Sequence, residues 1–171
     1  MEKRQKSFLF GSELRTLIGP ELKTGDHAPD FTVLMHNFKP KSFYSTAGKI
    51  RIISVVPSID TGVCDAQTRR FNQESSTLGD DVIIWTISVD LPYAQRRWCA
   101  AAGIERIEVL SDYRDLNFAP QYGVLIEDLR LLSRAVFVVD KEDVIQYAQY
   151  VTEIGAHPDY EAVLSVVKNL L

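Results

Sequence analysis

The sequence predicts a single α/β domain of 171 residues in which a mixed central sheet is flanked by helices. Two nearly continuous apolar runs, Ile50 to Val56 and Val82 to Val89, are typical of strands that are buried on both faces. Each run is followed by turn residues and then by a stretch with helical character. A hairpin pattern and an amphipathic helix complete the chain, so strands and helices alternate over most of its length.

The first part of the chain predicts a β-hairpin. Two short strand-like runs, Ser7 to Phe10 and Glu13 to Leu17, are separated by Gly11-Ser12, which is a hairpin signal. Weaker strand signals follow at Asp30 to His36 and at Phe43-Tyr44. We therefore assign residues 1–45 as an N-terminal extension that carries the hairpin, within one domain that spans residues 1–171.

The first central run ends in a turn that leads into a helix. Pro57 cannot donate to a sheet ladder, so it ends the strand. Cys64 then falls in the first turn of a helix that is expected to run to about Leu78. The turn residues that can cap this helix are Ser58, Asp60, Thr61 and Gly62. Its expected apolar face consists of Val63, Ala66, Phe71 and Leu78.

A second helix follows the second central run. Asp90 is its expected N-cap, Pro92 lies near its first position, and Gly103 is suited to end it. Cys99 lies at the border of the apolar face of this helix. The next expected elements are a short strand at Ile107 to Leu110 and a short helix at Leu116 to Tyr122, closed by Gly123.

The C-terminal part predicts a second hairpin and the last helix. Arg134 to Val139 and Val144 to Val151 are expected to pair as antiparallel strands around a charged turn. The last helix opens at His157-Pro158-Asp159, and its apolar stripe consists of Tyr160, Val163, Leu164, Val167 and Leu171. Taken with the preceding elements, this order is the thioredoxin-type arrangement, with helices expected on both faces of a mixed sheet.

Composition argues against several classes of protein. The net charge is −4 and no basic patch stands out, so nucleic acid is not an expected partner. No apolar run approaches the length of a membrane span, and the run from Ser7 to Gly11 is too short for a secretory signal, so a cytoplasmic location is expected. The histidines are scattered and two cysteines make a poor zinc site, so neither a metal nor another cofactor is expected.

Cys64 is the residue with the strongest chemical signal. A thiol at the start of a helix is stabilised as thiolate by the helix dipole and by unpaired backbone N–H groups. The alternative is an inert buried cysteine, which is what most free cysteines are. Thr61 lies three residues earlier, where its hydroxyl can reach the sulfur, cap the helix, or do both.

Cys99 allows three interpretations, namely a free core thiol, a permanent structural disulfide, or a transient partner of Cys64. A reducing cytosol disfavours the permanent disulfide. A transient disulfide needs Cα atoms about 4.4–6.8 Å apart, so two cysteines in separate helices would need local unwinding to meet. No Cys-x-x-Cys is present, which argues against the usual dithiol oxidoreductase site.

Several motifs together resemble one protein family. The spacing Pro57-x-x-x-Thr61-x-x-Cys64 is similar to the active-site pattern of peroxiredoxins, and the surrounding string resembles the bacterial thiol peroxidase subfamily. The resemblance continues over most of the chain, in Glu21 to Phe31, Arg97-Trp98-Cys99, Arg134 to Asp140 and Pro158 to Ala162. Two departures lie away from the peroxide site, at Ala102 and at Gly155-Ala156-His157.

This resemblance implies a role for each site residue. Cys64 would be the peroxidatic cysteine and Cys99 the resolving one, with both acting within one chain. Thr61 would bond the sulfur and the peroxide, and Pro57 would shield the site. Arg134 would supply positive charge beside the thiolate, although local sequence alone would make it a solvated residue at a strand end.

The resemblance also implies an activity. The chain would reduce hydrogen peroxide and alkyl hydroperoxides to water and alcohols, form a disulfide between Cys64 and Cys99, and be recycled by thioredoxin. It would act as a homodimer, with no membrane or nucleic acid partner. The alternatives are a protein disulfide oxidoreductase and a thiol-based redox sensor that switches a partner surface.

Overall fold

The computed structural model describes residues 1–171, which form ten strands and three α-helices. The strands are β1 (Lys3–Phe10), β2 (Glu13–Ile18), β3 (Thr32–Leu34), β4 (Pro40–Ser42), β5 (Ile50–Val55), β6 (Val82–Ser88), β7 (Glu108–Ser111), β8 (Leu125–Ile126), β9 (Ala135–Val139) and β10 (Ile145–Tyr150). The helices are α1 (Gly62–Leu78), α2 (Pro92–Ala102) and α3 (Tyr160–Leu170). None of these helices combines the length and apolar character needed to cross a membrane.

Seven strands form a mixed sheet in the order β10-β9-β5-β6-β7-β3-β4. The three central strands β5, β6 and β7 are parallel, and the strands on either side of them pair antiparallel. All six residues of β5 are buried, as its apolar run predicted. The predicted α/β class with a mixed central sheet is therefore confirmed.

The two faces of this sheet are covered differently. Ile50 and Ile52 of β5 join an apolar cluster that includes residues of α1, α2 and α3. Ile53 and Val55 point the other way, because side chains alternate along a strand, and they join a cluster that contains no residue of these helices. The expectation of helices on both faces is therefore wrong. Irregular segments, short strands and a 3₁₀ helix at Phe43–Thr46 cover the second face, so the strand signal at Phe43-Tyr44 is wrong.

The prediction of a helix at Leu116 to Tyr122 is wrong, and the reason is local. Leu116 has φ +47°, which lies in the left-handed region, and Pro120 has no N–H to donate within a helix. The buried carboxylate of Asp112 instead accepts hydrogen bonds from the backbone N–H groups of residues 117, 118 and 119. These bonds shape the segment as turns that pack against the sheet.

The N-terminal hairpin is confirmed and is longer than expected, because β1 begins at Lys3. β1 and β2 form a three-stranded sheet with β8. Leu9 of β1 also exchanges backbone hydrogen bonds with Thr152 and Ile154, which follow β10. Within the predicted extension, β3 and β4 lie at the edge of the seven-stranded sheet rather than in the hairpin. The grouping of residues 1–45 as an extension of one domain stays a prediction.

The helix ends agree with the sequence at every predicted boundary except the N-cap of α2. Gly103 has φ +68° and ends α2 in the left-handed conformation, and the carboxylate of Asp159 caps α3 by accepting from the N–H of Ala162. The predicted N-cap role of Asp90 is wrong. Leu91 occupies the N-cap position of α2, and the Asp90 carboxylate accepts bonds from other segments.

Two glycines allow the chain before β3 to approach the segment that covers the second face. A Cβ on Gly123 would lie 1.9 Å from the carbonyl oxygen of Pro20, and one on Gly19 would lie 2.0 Å from that of Pro120. Gly123 also has φ +65°. The two backbones therefore meet at a distance that no other residue type allows.

We expect Gly123→Ala to lower the free energy of unfolding by more than about 3 kcal/mol, because a backbone clash adds to the unfavourable φ. Gly11→Ala is the matched control, since Gly11 has φ +64° and open space around its Cβ position. Its cost should be only about 1 kcal/mol. Urea unfolding of both variants measures the difference. Equal losses would show that the close approach is not important for stability.

Candidate active site

Cys64 lies in the first turn of α1, which follows β5, the buried Pro57 and a turn along the chain. Its side chain is fully buried. The N–H groups of a first helical turn have no acceptor within the helix, and Thr61 at the N-cap makes no side-chain capping bond. The start of α1 therefore presents backbone donors and the positive end of the helix dipole to the region of Cys64.

Arg134, which directly precedes β9, reaches the sulfur of Cys64. Its Nη2 atom donates to Cys64 Sγ at 3.5 Å and to the carbonyl of Ile154 at 2.8 Å, and its Nη1 donates to Gln67 Oε1 at 2.9 Å. The side chain is buried and none of these partners is a carboxylate. A buried cation without an anionic partner is unfavourable, and the sulfur of Cys64 is the atom in contact with Arg134 that can carry a compensating negative charge.

Gln67 and Ser54 support Arg134, and the sequence analysis missed both. Gln67 Nε2 donates to Ser54 Oγ at 2.7 Å while its Oε1 accepts from Arg134. The predicted apolar face placed Ala66 inward, but Ala66 is exposed and Gln67 is fully buried. Spacing was the signal that could have found it, because Gln67 lies three residues after Cys64 and shares its helix face.

Thr61 is exposed, and its hydroxyl donates to the carbonyl of Ser58 at 3.2 Å. It makes no hydrogen bond with the sulfur of Cys64 in this structure. Pro57 is buried at the end of β5, next to the turn that leads to α1. The peroxide-binding role of Thr61 and the shielding role of Pro57 both stay predictions.

Cys99 lies on α2 and is also nearly buried, with 8 % of its surface exposed. Both cysteines are free thiols, and both belong to the apolar cluster between the helices and the sheet. Burial raises the pKa of the Cys99 thiol to about 11, so this residue is a neutral thiol at physiological pH. Cys99 also lines a surface cleft of about 400 Å³, together with Met35, His36, Arg96 and Ile107.

No cluster of three or more histidine, cysteine or acidic side chains in the structure is arranged to hold a metal ion. The candidate site consists of Cys64, the groups around its sulfur, and Cys99. Of the five residues predicted for the site, the structure brings Cys64 and Arg134 into direct contact.

Comparison with known proteins assigns the family. The redoxin family model matches residues 23–164. The chain belongs to the redoxin family. Thiol peroxidase of Oceanobacillus iheyensis is 60% identical to this redoxin over 156 residues, which cover 91% of this chain and 94% of the relative. Thiol peroxidase of Bacillus subtilis is 56% identical over 156 residues, which cover 91% and 93%.

A solved structure extends the comparison to the fold of this redoxin. The crystal structure of a peroxiredoxin-like protein from Aquifex aeolicus has a TM-score of 0.90 and 37% identity, covering 97% of this chain and 98% of the other. The thioredoxin-like fold of the peroxiredoxin type, which the order of elements and the motifs predicted, is therefore confirmed. The predicted resemblance to thiol peroxidases is confirmed as well.

We expect Gln67→Leu to slow the alkylation of Cys64 about tenfold, because Arg134 loses the acceptor that fixes its orientation and the thiolate loses part of its stabilisation. The measurement uses a Cys99→Ser background, so that only Cys64 reacts. Gln73→Leu is the matched control on the same helix, since Gln73 is exposed. An unchanged rate in Gln67→Leu would show that Gln67 does not position Arg134.

The raised pKa of Cys99 predicts a specific pH dependence. In folded Cys64→Ser protein, the Cβ chemical shift of labelled Cys99 should stay constant to about pH 9 and titrate near pH 11. Because the folded pKa lies above the ordinary value of 9.0, burial of this thiol contributes stability below pH 9 that is lost as the pH rises toward 11. A midpoint at or below 9 in the folded protein would contradict the burial argument.

Proposed function

We propose that this redoxin is a thiol peroxidase that reduces hydrogen peroxide and alkyl hydroperoxides, with Cys64 as its peroxidatic residue. The observation that carries the proposal is the buried guanidinium of Arg134, which lies 3.5 Å from the sulfur of Cys64 and has no carboxylate partner. A nearby cation such as this is one of the features that stabilise a thiolate nucleophile. Relatives that are named thiol peroxidases and match nearly the whole chain support the same activity.

The first step is oxidation of Cys64. The thiolate attacks the terminal oxygen of the hydroperoxide, the O–O bond breaks, and its electron pair leaves with the departing oxygen. That oxygen takes a proton and departs as water or alcohol, and Cys64 becomes a sulfenic acid. Arg134 and the N–H groups at the start of α1 are positioned to stabilise the charge that develops on the separating oxygens.

The second step uses Cys99 as the resolving residue. The sulfur of Cys99 attacks the sulfur of the Cys64 sulfenic acid, the S–O bond breaks, and the leaving oxygen takes the thiol proton to form water. The product is an intrachain disulfide. Because burial raises the pKa of Cys99 to about 11, its thiol is mostly un-ionised until a change of conformation exposes it.

A dithiol protein such as thioredoxin would then reduce the disulfide by exchange. A thiol reductant is consistent with the family, and the cleft beside Cys99 offers one route by which a reductant could approach that sulfur. The assignment of thioredoxin as that reductant, the homodimer and the cytoplasmic location are parts of the proposal that rest on the sequence resemblance.

The proposal predicts different failures for the two cysteine variants. Cys64→Ser should lose hydroperoxide turnover in an assay coupled to thioredoxin and its reductase, because no nucleophile remains. Cys99→Ser should consume about one equivalent of hydroperoxide and then stop, with sulfenic acid trapped at Cys64 by a dimedone-type reagent. Hydrogen peroxide and a bulky alkyl hydroperoxide should both be tested as substrates.

Full activity in Cys64→Ser would overturn the assignment, and sustained turnover in Cys99→Ser would remove Cys99 from the cycle. An insulin-reduction assay on the same preparations separates this activity from protein disulfide reduction. If the wild-type protein reduced insulin rapidly and hydroperoxides only slowly, the disulfide oxidoreductase alternative would replace the proposal.

A further inference from the structure

The Asp90 carboxylate joins the turn before Cys64 to the end of β6. It accepts hydrogen bonds from Ser58 Oγ at 2.7 Å and from the backbone N–H of Ile59 at 2.9 Å. It also accepts from Ser88 Oγ at 2.5 Å. Asp90 forms no salt bridge, so these three donors are the groups that compensate its charge.

The same network continues into α2, which carries Cys99. Gln95 of α2 is fully buried, and its Nε2 donates to Ser88 Oγ at 3.0 Å and to the carbonyl of Leu110 at 2.8 Å. The backbone carbonyl of Asp90 accepts from the hydroxyl of Ser111 in β7. A continuous set of hydrogen bonds therefore connects the turn before Cys64, the ends of β6 and β7, and α2.

A cleft of about 530 Å³ separates this turn from the body of α2. The residues that line it are Ser58, Ile59, Asp60, Asp90, Ala94, Arg97, Trp98 and Ala101. The turn and the helix are thus not closely packed against each other along this cleft. Ile59 anchors the turn in the apolar cluster between the helices and the sheet, and the polar contacts at Asp90 hold the turn at one edge of the cleft.

These contacts matter because the two cysteines lie in separate helices and both are buried. A disulfide requires an S–S separation of about 2.05 Å and closely spaced backbones. Both thiols are free in this structure, so the two sulfur atoms have to come closer together if they are to bond. Hydrogen bonds to an ionised acceptor are about twice as strong as neutral ones. The network at Asp90 therefore opposes the motion.

We propose that Asp90 is a positioning residue that holds the Ser58–Thr61 turn to the start of α2 and thereby limits the rate at which Cys99 reaches oxidised Cys64. This inference rests on the proposed function, because the rate concerned is that of the second chemical step. Asp90 does not contact the sulfur of Cys64, so the first step depends on it only weakly.

The test begins with the reduced protein in the absence of peroxide. In Asp90→Ala, backbone amides of residues 58–64 and 92–99 should exchange hydrogen for deuterium about tenfold faster than in wild type, because three bonds to a charged acceptor are lost. Asp90→Asn keeps a side-chain oxygen for Ile59 and Ser88 and an amide group for Ser58, so its exchange should stay within about threefold of wild type.

Asp60→Asn is the matched charge control. Asp60 lies in the same turn and is exposed, and its carboxylate makes no hydrogen bond in the structure. Its exchange should equal that of wild type. If Asp90→Ala proves too unstable to purify, Ser58→Ala removes one of the three bonds and should accelerate exchange about threefold. Unchanged exchange in both Asp90→Ala and Ser58→Ala would overturn the inference.

The second readout is the reaction itself, followed by rapid quenching and mass spectrometry after one equivalent of hydroperoxide. In Asp90→Ala, sulfenic acid should form at Cys64 within about twofold of the wild-type rate, and the disulfide should form about tenfold faster. Faster exchange without faster disulfide formation would overturn the inference, as would a disulfide step that became slower.

The two measurements separate this inference from the proposed function. If wild-type protein did not react with hydroperoxide, the proposed function would fail, and the exchange experiment would still decide whether Asp90 holds the turn. If wild-type protein turned over normally and the exchange of Asp90→Ala were unchanged, the proposed function would stand and the inference would fail.

Discussion

The contact between Arg134 and Cys64 is the interaction on which the rest of the site depends. A guanidinium in the protein interior is stable only when its hydrogen bonds are satisfied and its charge is compensated. Gln67 and Ile154 satisfy part of its bonding capacity without neutralising it. The positive charge of Arg134 therefore faces the sulfur of Cys64, which is the basis of the proposed nucleophile role of this residue.

The burial of both cysteines favours one proposed chemical step and opposes the other. Cys64 and Cys99 are protected inside one apolar cluster, which suits the first chemical step but keeps the thiols on separate helices. A catalytic cycle that uses both must alternate between a packed arrangement and a looser one. Elements that move in this way are expected to be held by contacts that can break and re-form, and the hydrogen bonds that Asp90 accepts from the turn before Cys64 are contacts of this kind.

The sequence predicted elements well where local pattern decides the outcome. β5 and β6 followed from continuous apolar runs, and α3 followed from its stripe and from Asp159. It failed where distant segments compete for a polar group. Asp90 serves the turn before Cys64 instead of α2, and Asp112 organises residues 117–119 as turns. Such pairings depend on strand order, which no local window contains.

The same difference between local pattern and distant contacts applies to the candidate site. The position of Cys64 at a helix start could be predicted from the turn residues and the strand before it. The contact between Arg134 and Cys64 joins residues 70 positions apart, so only the family resemblance pointed to it. Gln67 has a polar side chain of a kind that usually faces solvent, so its type gives no sign that it is completely buried beside Arg134.

The hydrogen bonds between β1 and the segment after β10 give the N-terminal hairpin an unexpected place in this arrangement. Ile154 donates its N–H to Leu9 in β1, and its carbonyl accepts from Arg134. Ile154 is therefore the single residue that links the hairpin by hydrogen bonds to the Arg134 guanidinium beside Cys64. Main-chain groups therefore connect β1, which is far from either cysteine along the chain, to the guanidinium beside Cys64, so the hairpin forms part of the scaffold that holds Arg134 in place.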